Sequence, residues 1–361
     1  MKRKYLTLLL TAALSLGLLT GCGNRETVST DAGQNETDGQ EVVGETAEQE
    51  EEPTEEVTEP QASAQKVTVR IASLKGPTSI GLLKLWEDQD QGLAQGSYEY
   101  TMATAADEIM PRMIQGDLDI ALLPANAAAV LYQKSQGAVT VIDINTLGVL
   151  YLVSGDTSIT SIADLKGKTV YLTGKGTTPD YALQHLLLQN GIALDEVTLE
   201  YRSEATEVAA LLQEDPNAIG LLPQPFVTAA CKQNEALSVV LDINAEWEAI
   251  HNGQGLVTGV TVVRTAFLEE NPEAVELFME EHKASAAFAN SDVETTAAYM
   301  VARGIVEKEP IAAAAIPNCN VTYIDGEEMK GALSTYLSIL FEQNPEFIGG
   351  AMPGEDFYTL R

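Results

Sequence analysis

The chain has 361 residues, with 21 Lys or Arg against 53 Asp or Glu, and its formal net charge is −32 at pH 7. This acidic balance excludes nucleic-acid binding of the usual kind, because phosphate contacts need a basic face. Three cysteines are too few for a disulfide scaffold, and the three histidines fit no metal-binding spacing. We therefore expect no cofactor, no metal and no nucleic-acid partner.

The first 22 residues are expected to be a targeting sequence. Three basic residues at positions 2–4 precede an apolar run over residues 5–19, which is too short to span a membrane. The run ends in Leu-Thr-Gly-Cys at residues 19–22, which resembles the lipobox of bacterial lipoproteins. That resemblance implies cleavage before Cys22, lipidation of its thiol with a group carrying fatty acids such as palmitate, and an anchor on the extracytoplasmic face of the cell membrane.

The next segment, residues 23–65, contains thirteen Asp or Glu, one Arg and no aromatic residue. It offers too little apolar surface to fold, so the sequence predicts a disordered acidic tether. A flexible chain of this length reaches on the order of 35 Å. The remaining 296 residues, 66–361, hold 17 Lys or Arg and 40 Asp or Glu, a net charge of −23. Their number suits two compact lobes better than one.

One stretch organises this part of the chain. A β-branched, apolar strand over Thr169–Leu172 is followed by a turn with Gly174 and Gly176 and then by a helix, with Thr178 expected as N-cap and Pro179 as its first residue. Glycine takes backbone angles that other residues avoid. Such a turn exposes N–H groups at the positive end of a helix, which suits a small polar or anionic ligand. An ordinary strand-to-helix connection is the alternative.

The same order occurs about 100 residues earlier, where a strand over residues 66–72 precedes a Lys-Gly-Pro-Thr-Ser turn at residues 75–79. A second echo follows. A helix expected over residues 106–115, with Gly116 as its cap, precedes a buried strand and a Leu-Leu-Pro corner at Ile120–Pro124, and a helix expected over residues 204–213 precedes the same pattern at Ile219–Pro223. Apolar strands that alternate with helices indicate parallel α/β sheets, whose ligands bind beyond the carboxyl ends of the strands. The echoes therefore predict two lobes that face each other across a cleft.

Two apolar strands suit the crossings between the lobes: residues 147–154, with no helix before residue 156, suit the first, and residues 256–264, with Gly259 inside, suit the return. They divide the chain into lobe one, residues 66–153 and 258–361, and lobe two, residues 154–257. Helices expected at residues 271–289, 291–304 and 327–342 complete lobe one.

Motifs spread over residues 66–361 resemble those of one family. They are Asp-Leu-Lys-Gly-Lys at 164–168, Gly-Lys-Gly-Thr-Thr-Pro at 174–179, Leu-Pro-Gln-Pro-Phe at 222–226, Glu-Asn-Pro-Glu at 270–273, Ile-Gly-Gly at 348–350 and Phe-Tyr at 357–358. Together they resemble the substrate-binding lipoproteins of ABC importers, in the nitrate, sulfonate, taurine and thiamine-pyrimidine group. The resemblance implies the two-lobed type II periplasmic-binding-protein fold. It leaves the ligand open, because similar scaffolds bind unlike molecules.

The resemblance also implies a function. A monomer without enzymatic activity would capture a small organic solute in the cleft and deliver it to an ABC permease in the membrane. Carried over by position, the ligand-binding residues would be Lys75, Gly76, Pro77, Thr78, Ser79, Asn126, Gly174, Gly176, Thr177, Thr178, Pro223 and Gln224. Their backbone N–H groups and hydroxyls would supply hydrogen bonds. No Arg lies in these loops, which argues against a strongly anionic ligand held bidentately, although Arg202 is a cation of lobe two that would reach the cleft.

Two other functions stay open. Relatives on this scaffold include pyrimidine-synthesising and chorismate-dehydrating enzymes, whose chemistry needs a positioned base or a sacrificial histidine. His185 follows the organising turn, but a place in the core or at the rim is favoured for it, and His251 and His282 are expected to be structural. A lipoprotein that senses a ligand and presents it to a receptor is the third possibility.

Overall fold

The structure is a computed structural model that describes residues 66–360. The targeting sequence, the lipobox Cys22 and the acidic tether over residues 23–65 lie outside the described residues. Within residues 66–360, no helix combines the length and the apolar character needed to cross a bilayer.

The described part of the chain alternates strands and helices. The strands are β1 (Thr68–Leu74), β2 (Ser97–Ala103), β3 (Ile120–Pro124), β4 (Val139–Thr146), β5 (Leu150–Ser154), β6 (Thr169–Leu172), β7 (Thr198–Tyr201), β8 (Ile219–Pro223), β9 (Ser238–Asp242), β10 (Gly259–Arg264) and β11 (Val321–Ile324). The helices are α1 (Pro77–Ile80), α2 (Leu83–Asp90), α3 (Ala106–Gln115), α4 (Ala125–Lys134), α5 (Thr178–Gln189), α6 (Ala205–Glu214), α7 (Phe226–Gln233), α8 (Ile243–Ile250), α9 (Thr265–Glu270), α10 (Pro272–Ser291), α11 (Val293–Ala302), α12 (Glu309–Ala315) and α13 (Gly326–Gln343).

These strands form two sheets with corresponding orders. Sheet one runs β11-β4-β10-β3-β1-β2 and sheet two runs β7-β6-β8-β5-β9. Three neighbouring strands of each sheet are parallel, β2, β1 and β3 in one and β7, β6 and β8 in the other. Next to each trio lies an antiparallel strand, β10 or β5. The prediction of parallel sheets is wrong for these two strands, because the chain enters each of them from the other sheet and runs the opposite way.

The chain passes from sheet one to sheet two between Thr146 and Leu150, and it returns between α8 and β10. The boundary expected after residue 153 put most of β5 in lobe one. Its backbone hydrogen bonds to β8 and β9 instead make it a strand of sheet two. The division into lobe one, built on sheet one, and lobe two, built on sheet two, remains our proposal, with β5 moved to lobe two.

The structure confirms some local predictions and corrects others. Helix α3 and strand β6 have the predicted bounds, and Gly116 ends α3 in the left-handed region with φ 78°. Helix α5 begins one residue earlier than expected, with Thr177 as N-cap and Thr178 inside the helix. The helix expected after the first turn is divided into α1 and α2. Strands β3 and β4 are buried at every position, as expected for strands covered by helices on both faces.

Candidate functional site

A cavity of about 590 Å³ lies where the two sheets face each other. Its walls are the segments that follow β1, β2 and β3 in lobe one and β6, β7 and β8 in lobe two. These are the carboxyl ends of the parallel strands, where ligands of α/β proteins bind. Leu150 and Thr258, one from each crossing between the lobes, line the cavity as well.

Most of the residues predicted from the sequence meet at this cavity. Eight of the twelve line it, namely Lys75, Pro77, Thr78, Gly174, Gly176, Thr177, Thr178 and Pro223. The other four, Gly76, Ser79, Asn126 and Gln224, are buried and do not line it. The two halves of the expected site, from residues about 100 apart in the chain, therefore lie on one cavity.

The turn of lobe one is held by its own residues. Gly76 is the N-cap of α1 and has φ 143° and ψ −151°, a region that is essentially restricted to glycine. Ser79 is fully buried, and its hydroxyl donates to the carbonyl oxygen of Leu74 at 2.6 Å. A second short hydrogen bond of 2.6 Å links Ser79 to the Ser73 hydroxyl. Both Gly76 and Ser79 shape the turn, and neither lines the cavity.

Asn126 joins the two lobes. It is fully buried at the start of α4 in lobe one, and its Nδ2 donates to the carbonyl oxygens of Gly176 at 3.1 Å and Phe347 at 3.2 Å. Its Oδ1 accepts from the Thr178 hydroxyl at 3.4 Å. The carboxamide therefore ties the turn of lobe two to lobe one. Gln224 likewise has a structural partner, since its Oε1 accepts from the hydroxyl of Thr228 at 2.9 Å.

The turn of lobe two depends on Asp180, which the sequence analysis did not single out. Its carboxylate is 3% exposed and accepts from the Gly176 N–H at 2.8 Å and the Tyr201 hydroxyl at 2.7 Å. Gln184 donates to the same carboxylate at 2.6 Å. Burial, and then the bond to this carboxylate, raise the pKa of Tyr201 above its ordinary value. The signal available in the sequence was an acid in the first turn of α5, where carboxylates satisfy free N–H groups.

Carboxylates also occupy N–H groups around the rest of the cavity. Glu108 accepts from the N–H groups of Thr104 and Ala105, both at 3.0 Å, and Glu207 accepts from the Ser203 N–H at 3.0 Å. Hydrogen bonds from Thr104 and Ala105 hold the pKa of Glu108 below its ordinary value. These acids offset the positive ends of α3 and α6. The N–H groups of Thr104, Ala105 and Ser203 near the cavity are thus already bound by carboxylates.

The charged side chains that line the cavity are mainly basic. Lys75, Lys134, Lys175 and Arg202 face it together with Asp107 and Glu204. Four cations against two acids form a positive zone in a domain of net charge −23. Arg202 reaches the cavity as expected, whereas nothing in the sequence pointed to Lys134.

Two of these cations rest on aromatic rings. The Lys175 Nζ lies 5.1 Å from the centre of the Tyr201 ring, and the Arg202 guanidinium lies 5.1 Å from that of Tyr171. Cation–π contacts of this length help to hold a long side chain in place. The Arg202 guanidinium also donates to the Tyr201 carbonyl oxygen at 3.0 Å and pairs with the Glu200 carboxylate at 3.6 Å, so part of its charge is already engaged.

The histidines lie elsewhere. His185 and His251 are distant in sequence, but their Nε2 atoms are 2.9 Å apart, and the Nδ1 of His185 lies 3.0 Å from the Oε1 of Gln343. Burial, and then His251, lower the pKa of His185 to about 4. None of the three histidines lines the cavity, and residues 66–360 contain no cluster of three His, Cys, Asp or Glu suited to a metal.

Comparisons with known proteins agree with this geometry. A family model described as NMT1/THI5 like matches residues 115–295. A candidate binding protein of Brucella abortus is 27% identical over 160 residues, which are 44% of this chain and 47% of that protein. The match thus spans about half the length of the curated relatives.

Among solved structures, an ABC transporter protein from Parabacteroides distasonis is 23% identical with a TM-score of 0.67, over 81% of this chain and 98% of that one. The periplasmic aliphatic sulphonate binding protein SsuA from Escherichia coli is 17% identical with a TM-score of 0.63, over 78% and 90% of the two chains. The periplasmic nitrate-binding protein NrtA from Synechocystis is 10% identical with a TM-score of 0.58, over 78% and 82%. These likenesses confirm the predicted α/β periplasmic-binding-protein fold.

Proposed function

Because this chain belongs to the NMT1/THI5-like family, we propose that it is the solute-binding protein of an ABC importer, which captures a small organic solute between its lobes and delivers it to a membrane permease. The observation that carries the proposal is the cavity of about 590 Å³, which both lobes line with the segments after their parallel strands. This volume lies within the range of about 300–1,000 Å³ that is usual for small-molecule sites.

The charges around the cavity favour an anionic solute. Four cations and two acids line it, and two of the cations, Lys175 and Arg202, are held over aromatic rings. The solved proteins of similar fold include one that binds aliphatic sulphonates and one that binds nitrate, which are both anions. Anion recognition by side chains agrees with the capture of N–H groups by Asp180, Glu108 and Glu207.

Binding is favoured over catalysis on this scaffold. No histidine of residues 66–360 lines the cavity, and His185, the candidate on the helix after the organising turn, contacts His251 and Gln343 instead. A sacrificial or proton-transferring histidine would have to contact the substrate.

The proposal includes a location. Lipidation of Cys22 would anchor the protein at the extracytoplasmic face, and residues 23–65 would hold it at a distance from the membrane. Cys22→Ser should abolish incorporation of a fatty-acid probe and release the protein or leave it unprocessed. Labelling of this variant at the level of the unchanged protein would contradict the anchor.

A thermal-shift panel tests the binding function. Purified protein is heated with sulfonates, carboxylates, phosphates, nitrate and pyrimidines, and a bound solute at about a hundredfold excess over Kd adds about 2.7 kcal/mol of stability. The double variant Lys175→Gln/Arg202→Gln should weaken any anionic hit severalfold. The control Lys166→Gln removes an exposed lysine that pairs with Glu196 outside the cavity and should leave binding unchanged. Equal binding by both variants would contradict the proposed site.

A further inference from the structure

Thr258 is the residue at the end of the return crossing, directly before β10. Its N–H donates to the carbonyl oxygen of Thr146 at 3.1 Å, and its own carbonyl accepts from the Ala125 N–H at 3.1 Å. The residue is 8% exposed and lines the cavity. Its hydroxyl, however, has no hydrogen-bond partner among the described residues. The backbone is thus fixed on both sides while the hydroxyl remains unused.

The other buried hydroxyls at the cavity differ in this respect. Thr78 donates to the Leu74 carbonyl at 3.2 Å and Thr178 donates to Asn126 at 3.4 Å. The hydroxyls predicted from the sequence to bind the solute, those of Thr78, Ser79, Thr177 and Thr178, therefore already have partners, and the hydroxyl of Thr258, which was not predicted, has none. A buried hydroxyl without a partner destabilises the protein, so an occupant of the cavity that bonds to it recovers that free energy.

The buried residues that line the cavity together with Thr258 are uncharged. Gly259, the next residue, lies opposite Pro124 in the β10–β3 ladder, and Leu150 lies opposite Pro223 in the β5–β8 ladder. The buried residues that line the cavity are Thr78, Ala106, Pro124, Ala127, Leu150, Thr178, Phe226 and Thr258. All six charged residues that line it are at least partly exposed. The cavity thus has an uncharged inner part and a basic outer part.

We propose that the solute is held by its two ends, with an uncharged hydrogen-bonding group against the Thr258 hydroxyl and an anionic group near Lys75, Lys175 and Arg202. A terminal hydroxyl, an ether or a carbonyl oxygen suits the inner end, because a threonine hydroxyl both donates and accepts. The inference rests on the proposed function and narrows the solute to a class: an anion that carries a second, neutral polar group.

The selectivity expected at the inner end follows from its chemistry. A site built to bond a polar group rejects an analogue of equal shape that lacks the group, because the buried hydroxyl then stays unpaired. Leu150, Pro124 and Phe226 offer the methyl group of that analogue apolar contacts only, which leave the Thr258 hydroxyl unpaired. Thr258 lies in the segment by which the chain returns from lobe two to lobe one, so a solute bonded to it also contacts that connecting segment.

Calorimetry with two matched probes tests the inference. The probes are 4-hydroxybutane-1-sulfonate and pentane-1-sulfonate, which differ by a terminal hydroxyl against a methyl. The unchanged protein should bind the hydroxyl probe at least about tenfold more tightly. Thr258→Val should remove this preference, and Thr258→Ser should retain it. The control Thr206→Val alters an exposed hydroxyl that lines the cavity and already bonds to Glu204, and it should leave the preference unchanged.

Melting of the probe-free protein gives a second, independent readout. Thr258→Val removes no hydrogen bond within the protein, so its melting temperature should equal or exceed that of the unchanged protein. A lower value would mean that the hydroxyl has a structural partner and would overturn the inference. Equal affinity for the two probes, a preference that survives Thr258→Val, or binding of neither probe would overturn it too. The proposed function is judged separately, by the solute panel and the Lys175/Arg202 variant.

Discussion

The two glycine turns resemble each other in sequence but are held in place differently. In lobe one, Gly76 and Ser79 are fixed by backbone angles and by hydroxyl bonds to Leu74, and these bonds stay within that lobe. In lobe two, the Gly176 N–H is bound by Asp180, while the Gly176 carbonyl accepts from Asn126 of lobe one. One turn is therefore self-contained, and the other depends on a contact between the lobes.

A sequence echo therefore predicts where a turn lies, but it does not predict which hydrogen-bonding groups of the turn are free to bind a ligand. The Lys-Gly pair and the threonines recur in both turns. Residues outside the echo decide which hydrogen-bonding groups of each turn stay free. In lobe two they are Asp180, the third residue of α5, and Asn126 on α4. A ligand-induced movement of the lobes would reach the turn of lobe two through Asn126, with no equivalent tie in the turn of lobe one.

The largest effect is expected from Asp180→Ala. It leaves the Gly176 N–H, the Tyr201 hydroxyl and Gln184 without their buried acceptor, so the free energy of unfolding should fall by about 2–4 kcal/mol. Urea denaturation measures the change. Asp195→Ala, an exposed acid of lobe two, should alter stability by no more than about 0.5 kcal/mol. Equal losses in the two variants would show that Asp180 does not support the turn.

A smaller difference should separate Gly76→Ala from Gly176→Ala. The first places alanine at φ 143°, which costs about 2–3 kcal/mol, and the second at φ 75°, which costs about 1 kcal/mol. Gly191→Ala is the matched control, with φ 73° and no atom within 4 Å of the added Cβ, and should behave like Gly176→Ala. If the Gly176 variant is as unstable as the Gly76 variant, contacts of the added methyl group, and not the backbone angles, determine the loss of stability.

Asn126→Ala tests the dependence of one turn on the other lobe. Loss of the bonds to Gly176 and Phe347 should destabilise the protein by about 1–2 kcal/mol and speed amide exchange at residues 174–178, with residues 75–79 unchanged. Gln133→Ala, on the same helix, removes a bond to the Ala351 carbonyl within lobe one and should leave both turns unchanged. Faster exchange in both turns of the Asn126 variant would contradict the claim that only the turn of lobe two depends on the other lobe.

The smallest effect concerns pH and the helix α5 that starts at this turn. An unfolded histidine titrates near pH 6.5, while burial and His251 lower the pKa of His185 to about 4 in the folded protein. Between these values the unfolded chain binds more protons, so stability falls as pH drops from about 6.5 to 4. His185→Gln should reduce this loss by about 2–4 °C in melting temperature. An unchanged pH profile would mean that the pair does not couple protonation to stability.

Local features were predictable because their causes are local. The Gly116 cap of α3 and the β-branched residues of β6 act within a few positions of the chain. The echo also brought eight predicted residues to one cavity, because two equal βα units place their turns at corresponding strand ends.

The remaining features depend on contacts between distant segments. Asn126 was predicted to face the solute, but the turn of lobe two and Phe347 take all of its hydrogen-bonding groups. Thr258 belongs to none of the motifs found in the sequence. Its backbone hydrogen bonds to the Thr146 carbonyl and the Ala125 N–H, both distant in sequence, hold it at the cavity. His185 and His251 meet because α5 and the end of α8 pack together, which no spacing in the sequence reveals.

The place of β10 in sheet one has a consequence for the order of folding. It lies between β3 and β4, so these two strands stay unconnected until residues 259–264 are in place. All five strands of sheet two lie within one continuous stretch, from Leu150 in β5 to Asp242 in β9. During synthesis from the N-terminus, all strands of sheet two are made before β10. Sheet two can therefore form while sheet one still lacks a central strand, and the later pairing of β10 with β3 closes the longer loop of chain. Thr258, which directly precedes β10, would then reach the cavity after every strand of sheet two has been made.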